Sequence, residues 1–167
     1  MKINPRSMYA YVYALLENVT PLHTDCGEKC GGRCCADSDE GTGMYLYPAE
    51  SCMYEARPDW AKIEKSGFFY GDKEALILSC PGRCDRHLRP LACRIFPLVP
   101  YKKAGERMKI IYDPRAASMC PLTPKELTDD FVEAVHAAMR IVSKTREGRA
   151  FIEAQSVLID EYVRMHL

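Results

Sequence analysis

Apolar residues recur at helical spacing near the start of the chain. Asn4 is a favourable N-cap residue, and Pro5 suits the first position of a helix. The apolar residues that follow fall on one helical face, namely Met8, Tyr9, Val12, Leu15, Leu16 and Val19. Because proline cannot continue a helix, Pro21 is predicted to stop this one.

The last quarter of the chain carries two more helical patterns. Thr123 and Glu126 form a capping-box pattern around Pro124. One apolar face then runs through Leu127, Phe131, Val135, Ala138, Met139 and Val142, and a second through Phe151, Ile152, Gln155, Leu158, Ile159, Tyr162 and Val163. Gly148 is predicted to break the run between them. The two patterns together predict a helical hairpin over residues 124–166.

Short strand-like runs lie between these helices. Residues 43–47 are typical of a strand, and residues 68–70 and 75–78 are typical of a hairpin around Gly71 and Asp72. A second hairpin is predicted from residues 98–101 and 108–112. We therefore predict an α+β fold, with amphipathic helices packed on a small antiparallel sheet beside an irregular, cysteine-rich metal-binding lobe. Residues 1–167 are predicted to form a single domain, with the lobe at about residues 23–121.

Composition and charge narrow the classes of function. The chain has 167 residues, of which 47% are apolar and 28% charged, as in ordinary globular proteins. A formal net charge of zero disfavours nucleic acid as a partner, since nucleic-acid binders usually carry a basic excess. No apolar run approaches the roughly 18 residues of a membrane span, so no membrane association is expected. The start of the chain lacks the apolar region of a secretory signal, which predicts a cytoplasmic protein.

The unusual count is that of cysteine, with nine residues. Thiols stay reduced in the cytoplasm, so clustered cysteines there indicate metal or redox sites. The first cluster is Cys26-x3-Cys30-x3-Cys34-Cys35, in a polar segment that has almost nothing to bury. Its glycines favour a loop, which can wrap around an ion, rather than a regular helix. Thiolates are soft ligands that favour zinc or an iron–sulfur cluster over magnesium or calcium.

A second set of cysteines comprises Cys80, Cys84, Cys93 and Cys120. The eight candidates fit two tetrahedral sites, or one cluster plus one zinc, since tetrahedral zinc takes four ligands. They can also interleave, because the neighbouring Cys34 and Cys35 can point in different directions. We predict that the two sets meet in space. His87 is a candidate substitute ligand, although a surface histidine is the favoured interpretation, and Cys52 is predicted to be a packed thiol.

These residues carry a resemblance to a known family. The chain resembles the cysteine-cluster family of zinc- or iron-chelating proteins, whose hallmark is C-x2-C-x2-C-C, although both spacers here have three residues. The later signature of that family is matched by Cys84, Arg89-Pro90, Cys93-Arg94 and Phe96-Pro97. The family is similar to flagellin lysine N-methylases, which are iron–sulfur proteins that transfer a methyl group from S-adenosylmethionine to lysine. The resemblance spans about residues 26–121 and implies bound zinc or a 4Fe-4S cluster.

Three charged residues are candidates for supporting roles. Arg89 and Arg94 flank Cys93 and are predicted either to offset thiolate charge or to pair with structural acids. Glu50 is predicted to be a base or hydrogen-bond acceptor near the lobe, or else a carboxylate in the first turn of a helix.

The sequence leaves three functions open. The first is a cytoplasmic metal-binding protein whose clustered thiolates hold zinc or an iron–sulfur cluster, with the metal ion as its partner. The second is a cluster-dependent methyltransferase that acts on a lysine of a protein substrate. The third is a binding module in which the zinc is purely structural.

Overall fold

The computed structural model describes residues 4–35, 43–56, 59–79, 82 and 85–166. Its α-helices are α1 (Pro5–Leu16), α2 (Cys26–Cys30), α3 (Leu91–Ile95), α4 (Asp129–Val142) and α5 (Arg146–His166). Its strands are β1 (Met44–Leu46), β2 (Lys62–Tyr70), β3 (Lys73–Ser79), β4 (Leu98–Tyr101) and β5 (Lys109–Tyr112). The predicted α+β class is confirmed.

The strands form two small antiparallel sheets. The first has the order β1-β3-β2, and the second pairs β4 with β5 from Leu98↔Tyr112 to Tyr101↔Lys109. The hairpin of β2 and β3 is longer than predicted, because β2 begins at Lys62. The first half of β2 is largely exposed and polar, and a register shift between Lys65 and Phe69 interrupts its alternation.

The main core lies between the long helices and the sheets. Helix α1 packs on α4, and α5 packs on β2 and β4. The Phe151 ring of α5 lies 4.9 Å from the Tyr47 ring, 5.5 Å from the Phe68 ring and 5.4 Å from the Tyr70 ring, centroid to centroid. These offset and edge-to-face contacts fasten α5 to the first sheet. No helix in the described ranges is both long and apolar enough to span a membrane.

The start of α4 differs from the prediction. The capping box of Thr123 and Glu126 is present, but it caps the N-terminus of a 3-10 helix, Pro124–Glu126. The α-helix begins at Asp129, and the Thr128 side chain caps it by accepting a hydrogen bond from the Phe131 amide. Two successive caps therefore turn the chain into α4, where the sequence pattern indicated one.

Gly148 was predicted to break the helical run, and this was wrong. It lies buried in the first turn of α5, and the break falls at residues 143–145. A Cβ atom at Gly148 would stand 2.2 Å from the Val142 carbonyl oxygen. Glycine is needed there because the end of α4 and the start of α5 approach each other closely.

A buried carboxylate joins α1 to the segment that leads into α3. Glu50 is completely buried, and its carboxylate accepts hydrogen bonds from the Tyr13 hydroxyl at 2.6 Å, the Leu91 amide at 2.6 Å and the Tyr47 amide at 2.8 Å. Burial raises the pKa of Glu50, while these three donors and the nearby Arg94 oppose the rise. Glu50 is a hydrogen-bond acceptor, and it also lies in the first turn of a helix, the 3-10 helix Glu50–Tyr54, as the alternative prediction had it. Its predicted role beside the metal-binding lobe stays a prediction.

Arg94 completes this connection from the other side. Its guanidinium is buried, lies 4.2 Å from the centre of the Tyr13 ring, and donates to Glu17 at 2.8 Å. It also donates to the carbonyl oxygens of His87 and Arg89, at 2.6 and 2.8 Å. Arg94 therefore pairs with a structural acid, which is one of its two predicted roles.

We predict that Glu50→Gln destabilises the fold by about 1–3 kcal/mol, because a buried donor is left unpaired. Whichever way the new amide is turned, its NH2 group faces a backbone N–H. Glu55→Gln is the matched control, since Glu55 forms an exposed pair with Arg6 and should change stability by less than about 0.5 kcal/mol. Urea unfolding measures both variants, and equal effects would contradict the role assigned to Glu50.

Candidate metal centre

The first cysteine cluster is built on a one-turn helix. The Asp25 side chain caps α2 by accepting from the Gly27 amide at 2.9 Å. Cys26 and Cys30 are four residues apart on α2, so their side chains share a face. The sequence favoured a loop over a regular helix here. The helix does form, but Gly31 ends it after a single turn.

Two glycines then reverse the chain. Gly31 caps the C-terminus of α2 at a φ of 66°, and Gly32 follows at 70°. Both values lie in the left-handed region, which glycine enters without steric cost. A 3-10 helix, Arg33–Cys35, follows directly. The reversal returns Cys34 to the cavity wall that Cys26 and Cys30 already line.

Cys120 reaches the same wall from a distant part of the chain. It follows the 3-10 helix Pro114–Ser118, and its amide donates to the Ala116 carbonyl oxygen at 2.7 Å. The Tyr112 hydroxyl donates to the Leu122 carbonyl oxygen at 2.6 Å. This bond holds residues 120–122 against the end of β5, and so fixes where Cys120 meets the first cluster.

The resulting cavity has a volume of about 20 Å³. Four thiols line it, those of Cys26, Cys30, Cys34 and Cys120. The remaining described residues in its wall are apolar or carry a thioether: Pro21, Phe96, Pro97, Met119, Pro121 and Leu122. Sulfur is therefore the only side-chain donor atom among the described residues that form the wall.

Cys35 is a neighbour of these thiols, although it is not among the described residues that line the cavity. Its sulfur lies 3.9 Å from that of Cys34. The contact with the Cys34 thiol, helped by the charge of Arg89, lowers the pKa of Cys35 to about 6, while it raises the pKa of Cys34. The adjacent thiols therefore titrate as a pair, and the first proton is lost from the pair as a whole.

Arg89 supplies positive charge beside these thiols. It lowers the pKa of both Cys26 and Cys35, although for Cys26 burial is the larger influence and leaves the pKa raised. Thiolates are the form that binds metal, so a cation at this position favours binding. This location agrees with the charge-offsetting role predicted for Arg89.

The second cysteine segment also touches the first. Gly82 lies between Cys80 and Cys84 in the sequence, at a φ of 83°, and a Cβ atom there would stand 2.7 Å from the Cys35 carbonyl oxygen. Gly82 therefore lies directly against the backbone of Cys35, in the first cluster. Cys80 and Cys84 themselves lie outside the described residues, so their predicted role as ligands stays a prediction.

The other sequence candidates are not among the described residues that line the cavity. Cys93 is half-buried on α3, and the charge of its thiolate form would raise the pKa of Tyr54. His87 is exposed, with its Nδ1 atom 2.8 Å from the Glu17 carboxylate. Cys52 is half-buried against the main core, as expected of a packed thiol.

The backbone that carries the first cluster is anchored mostly by polar contacts. Arg86 donates to the carbonyl oxygens of Leu16, Glu17 and Val19, at the C-terminal end of α1. The Thr128 amide and hydroxyl donate to the carbonyl oxygens of Pro21 and Thr20, at 3.0 and 3.2 Å. An ion pair of Lys29 with Glu126 ties α2 to the turn before α4.

Three contributors to this centre were not predicted as such. Arg86 contributes through its hydrogen bonds to the end of α1. Tyr112 contributes through its hydrogen bond to Leu122, and Met119 is part of the cavity wall. The only local signal was the position of Met119 directly before Cys120.

In the parts of the chain that the structure describes, no three His, Cys, Asp or Glu side chains are grouped closely enough to hold a metal ion. The thiols that line the cavity would therefore have to turn inward to share one. Comparison with known protein families, with curated proteins and with solved structures finds no match to this chain.

We predict that Gly82→Ala loosens the first cluster, because the new methyl group would collide with the Cys35 carbonyl oxygen. Gly105→Ala is the matched control, since Gly105 also has a positive φ, of 78°, but no heavy atom lies within 4 Å of the site of its Cβ. Amide hydrogen exchange of residues 26–35 should be faster in Gly82→Ala and unchanged in Gly105→Ala. The same exchange rates in both variants would show that the contact is unimportant.

Proposed function

We propose that this protein binds a thiophilic metal ion with clustered cysteine thiolates. The observation that carries the proposal is the cavity wall, to which cysteines from residues 26–34 and from residue 120 both contribute. Cys120 is far in sequence from Cys26, Cys30 and Cys34, so these cysteines do not share the cavity merely because they are neighbours along the chain. Cys26, Cys30, Cys34 and Cys120 are the proposed ligands, and Cys35 is the adjacent thiol that could replace one of them.

The size of the cavity favours a single ion. A volume of about 20 Å³ is on the order of the space that one water-sized probe occupies. A 4Fe-4S cluster would require the segments around the cavity to move apart, whereas one zinc ion would require only that thiols rotate inward. Cys34 is exposed and Cys26 and Cys30 are half-buried, so packing does not lock their side chains. Zinc is therefore the preferred ion, with the cluster as the alternative.

The chemistry of the wall agrees with a thiolate site. Zinc bound by four cysteines is a common structural arrangement, and soft sulfur ligands exclude magnesium and calcium. Arg89 offsets part of the negative charge that such a site accumulates. We place this activity in the cytoplasm, where thiols remain reduced and available to a metal.

The proposed role of the metal is to hold the cluster segment in place. Helix α2 and the 3-10 helix Arg33–Cys35 contain no buried residue. Binding of structural zinc can contribute on the order of 10 kcal/mol to folding, which would compensate for the missing core. The structural-zinc alternative is favoured by this observation, while methyl transfer to a protein lysine rests on the family resemblance alone.

We predict that serine at Cys30, Cys34 or Cys120 lowers the metal bound by the purified protein. Loss of a ligand should reduce affinity by more than the roughly 10–100-fold that follows loss of a ligand's hydrogen-bond partner. Cys52→Ser is the matched control, because Cys52 is also a half-buried thiol but packs against the core. The expectation that Cys35, Cys84 and Cys93 also contribute is tested by the same series.

Elemental analysis of protein purified anaerobically gives the readout. Stoichiometric zinc in a colourless protein would support the single ion, and iron with sulfide in a brown protein would support the cluster. Equal loss of metal in Cys52→Ser and Cys120→Ser would contradict the proposed ligand set.

We predict that a strong chelator loosens the lobe while the C-terminal helices survive. Amide protection within residues 26–35 should fall, since these residues have little core to retain them. Helices α4 and α5 should keep their protection, because Phe131, Val135, Phe151 and Ile152 are fully buried. Hydrogen exchange with and without chelator tests this, and unchanged protection of residues 26–35 would refute a structural role for the metal.

A further inference from the structure

The cavity wall contains a fifth sulfur-bearing side chain that zinc does not use. Met119 precedes Cys120, and both residues line the cavity. The Met119 side chain is partly exposed, at 38%. Methionine is not among the usual ligands of zinc, which are cysteine, histidine, aspartate and glutamate. A thioether in an otherwise apolar and thiol-lined wall is a ligand for a softer ion.

We propose that the cavity, besides zinc, also accepts Cu(I), with Met119 as a copper-specific ligand beside the thiolates. This inference rests on the proposed function, because it uses the same thiols. Thiolate and thioether ligands suit soft ions, among them Cu(I). Histidine, carboxylate and amide side chains, which would favour Cu(II) or harder ions, are absent from the described residues of the wall.

The number of ligands that the ion needs sets how far the thiols must move. In the described residues no three His, Cys, Asp or Glu side chains are grouped closely enough to hold a metal ion, so the thiols must turn inward for either ion. Cu(I) takes fewer ligands than tetrahedral zinc, so fewer thiols have to turn. Each bound thiol loses its proton to solvent, and no electron is transferred because copper enters as Cu(I).

Charge points the same way. Four thiolates around zinc leave an excess of negative charge, which is costly beside Pro21, Phe96, Pro97 and Leu122. Two thiolates and an uncharged thioether around Cu(I) leave less negative charge to bury.

The test compares Cu(I) and zinc binding in the full-length chain and two variants. Met119→Leu keeps the size and apolar character of the side chain but removes the sulfur. Met165→Leu is the matched control, because Met165 is 71% exposed near the end of α5. Cu(I) is supplied anaerobically in competition with bicinchoninate, and zinc is measured in competition with a chromophoric chelator. Circular dichroism checks that both variants fold.

Met119→Leu should weaken Cu(I) binding by about tenfold or more, by analogy with the loss of other supporting groups at metal sites. Its zinc affinity should be unchanged, and Met165→Leu should bind both ions as the parent does. Unchanged Cu(I) affinity in Met119→Leu, with zinc still bound, would overturn the copper proposal alone. Failure of the parent chain to bind either ion would overturn the thiolate site itself.

Discussion

The segment from residue 20 to residue 35 offers the core almost nothing to bury. Pro21 is its only buried residue, and the rest is half-buried or exposed. A backbone that gains so little from apolar burial must be held by other forces, since ordering each residue costs roughly 1–2 kcal/mol of conformational entropy. The polar contacts that leave this segment, and the thiols that it carries, follow from that constraint.

The segment is fastened at several points by the better-packed parts of the fold. Thr128 holds residues 20 and 21 and Lys29 pairs with Glu126, while Arg86 binds the carbonyl oxygens just before the segment, where α1 ends. Beside the end of α1, the buried Arg94 also pairs with the partly exposed Glu17. The exposed ion pair contributes little by itself, so under our proposal a metal bound by the thiols supplies the remaining closure.

The sequence predicted what depends on local periodicity. The apolar faces of α1, α4 and α5 and both hairpins could be recognised because their spacing is repeated over several turns or residues. The start of β2 was missed because Lys62 to Ser66 are largely polar, and Gly148 was misinterpreted because its reason lies in a contact with Val142. Sequence spacing alone also could not show that Cys120 faces Cys26 and Cys30, since Tyr112 and the turn before it determine that approach.

The central claim is that one sulfur-lined cavity, formed by residues distant in sequence, holds a metal ion. X-ray absorption at the metal edge of the loaded protein tests it most directly, because it identifies the atoms bound to the ion. The account predicts a shell of sulfur alone, at about 2.3 Å if the ion is zinc. A shell dominated by nitrogen or oxygen would contradict it, since no described side chain in the cavity wall carries either atom.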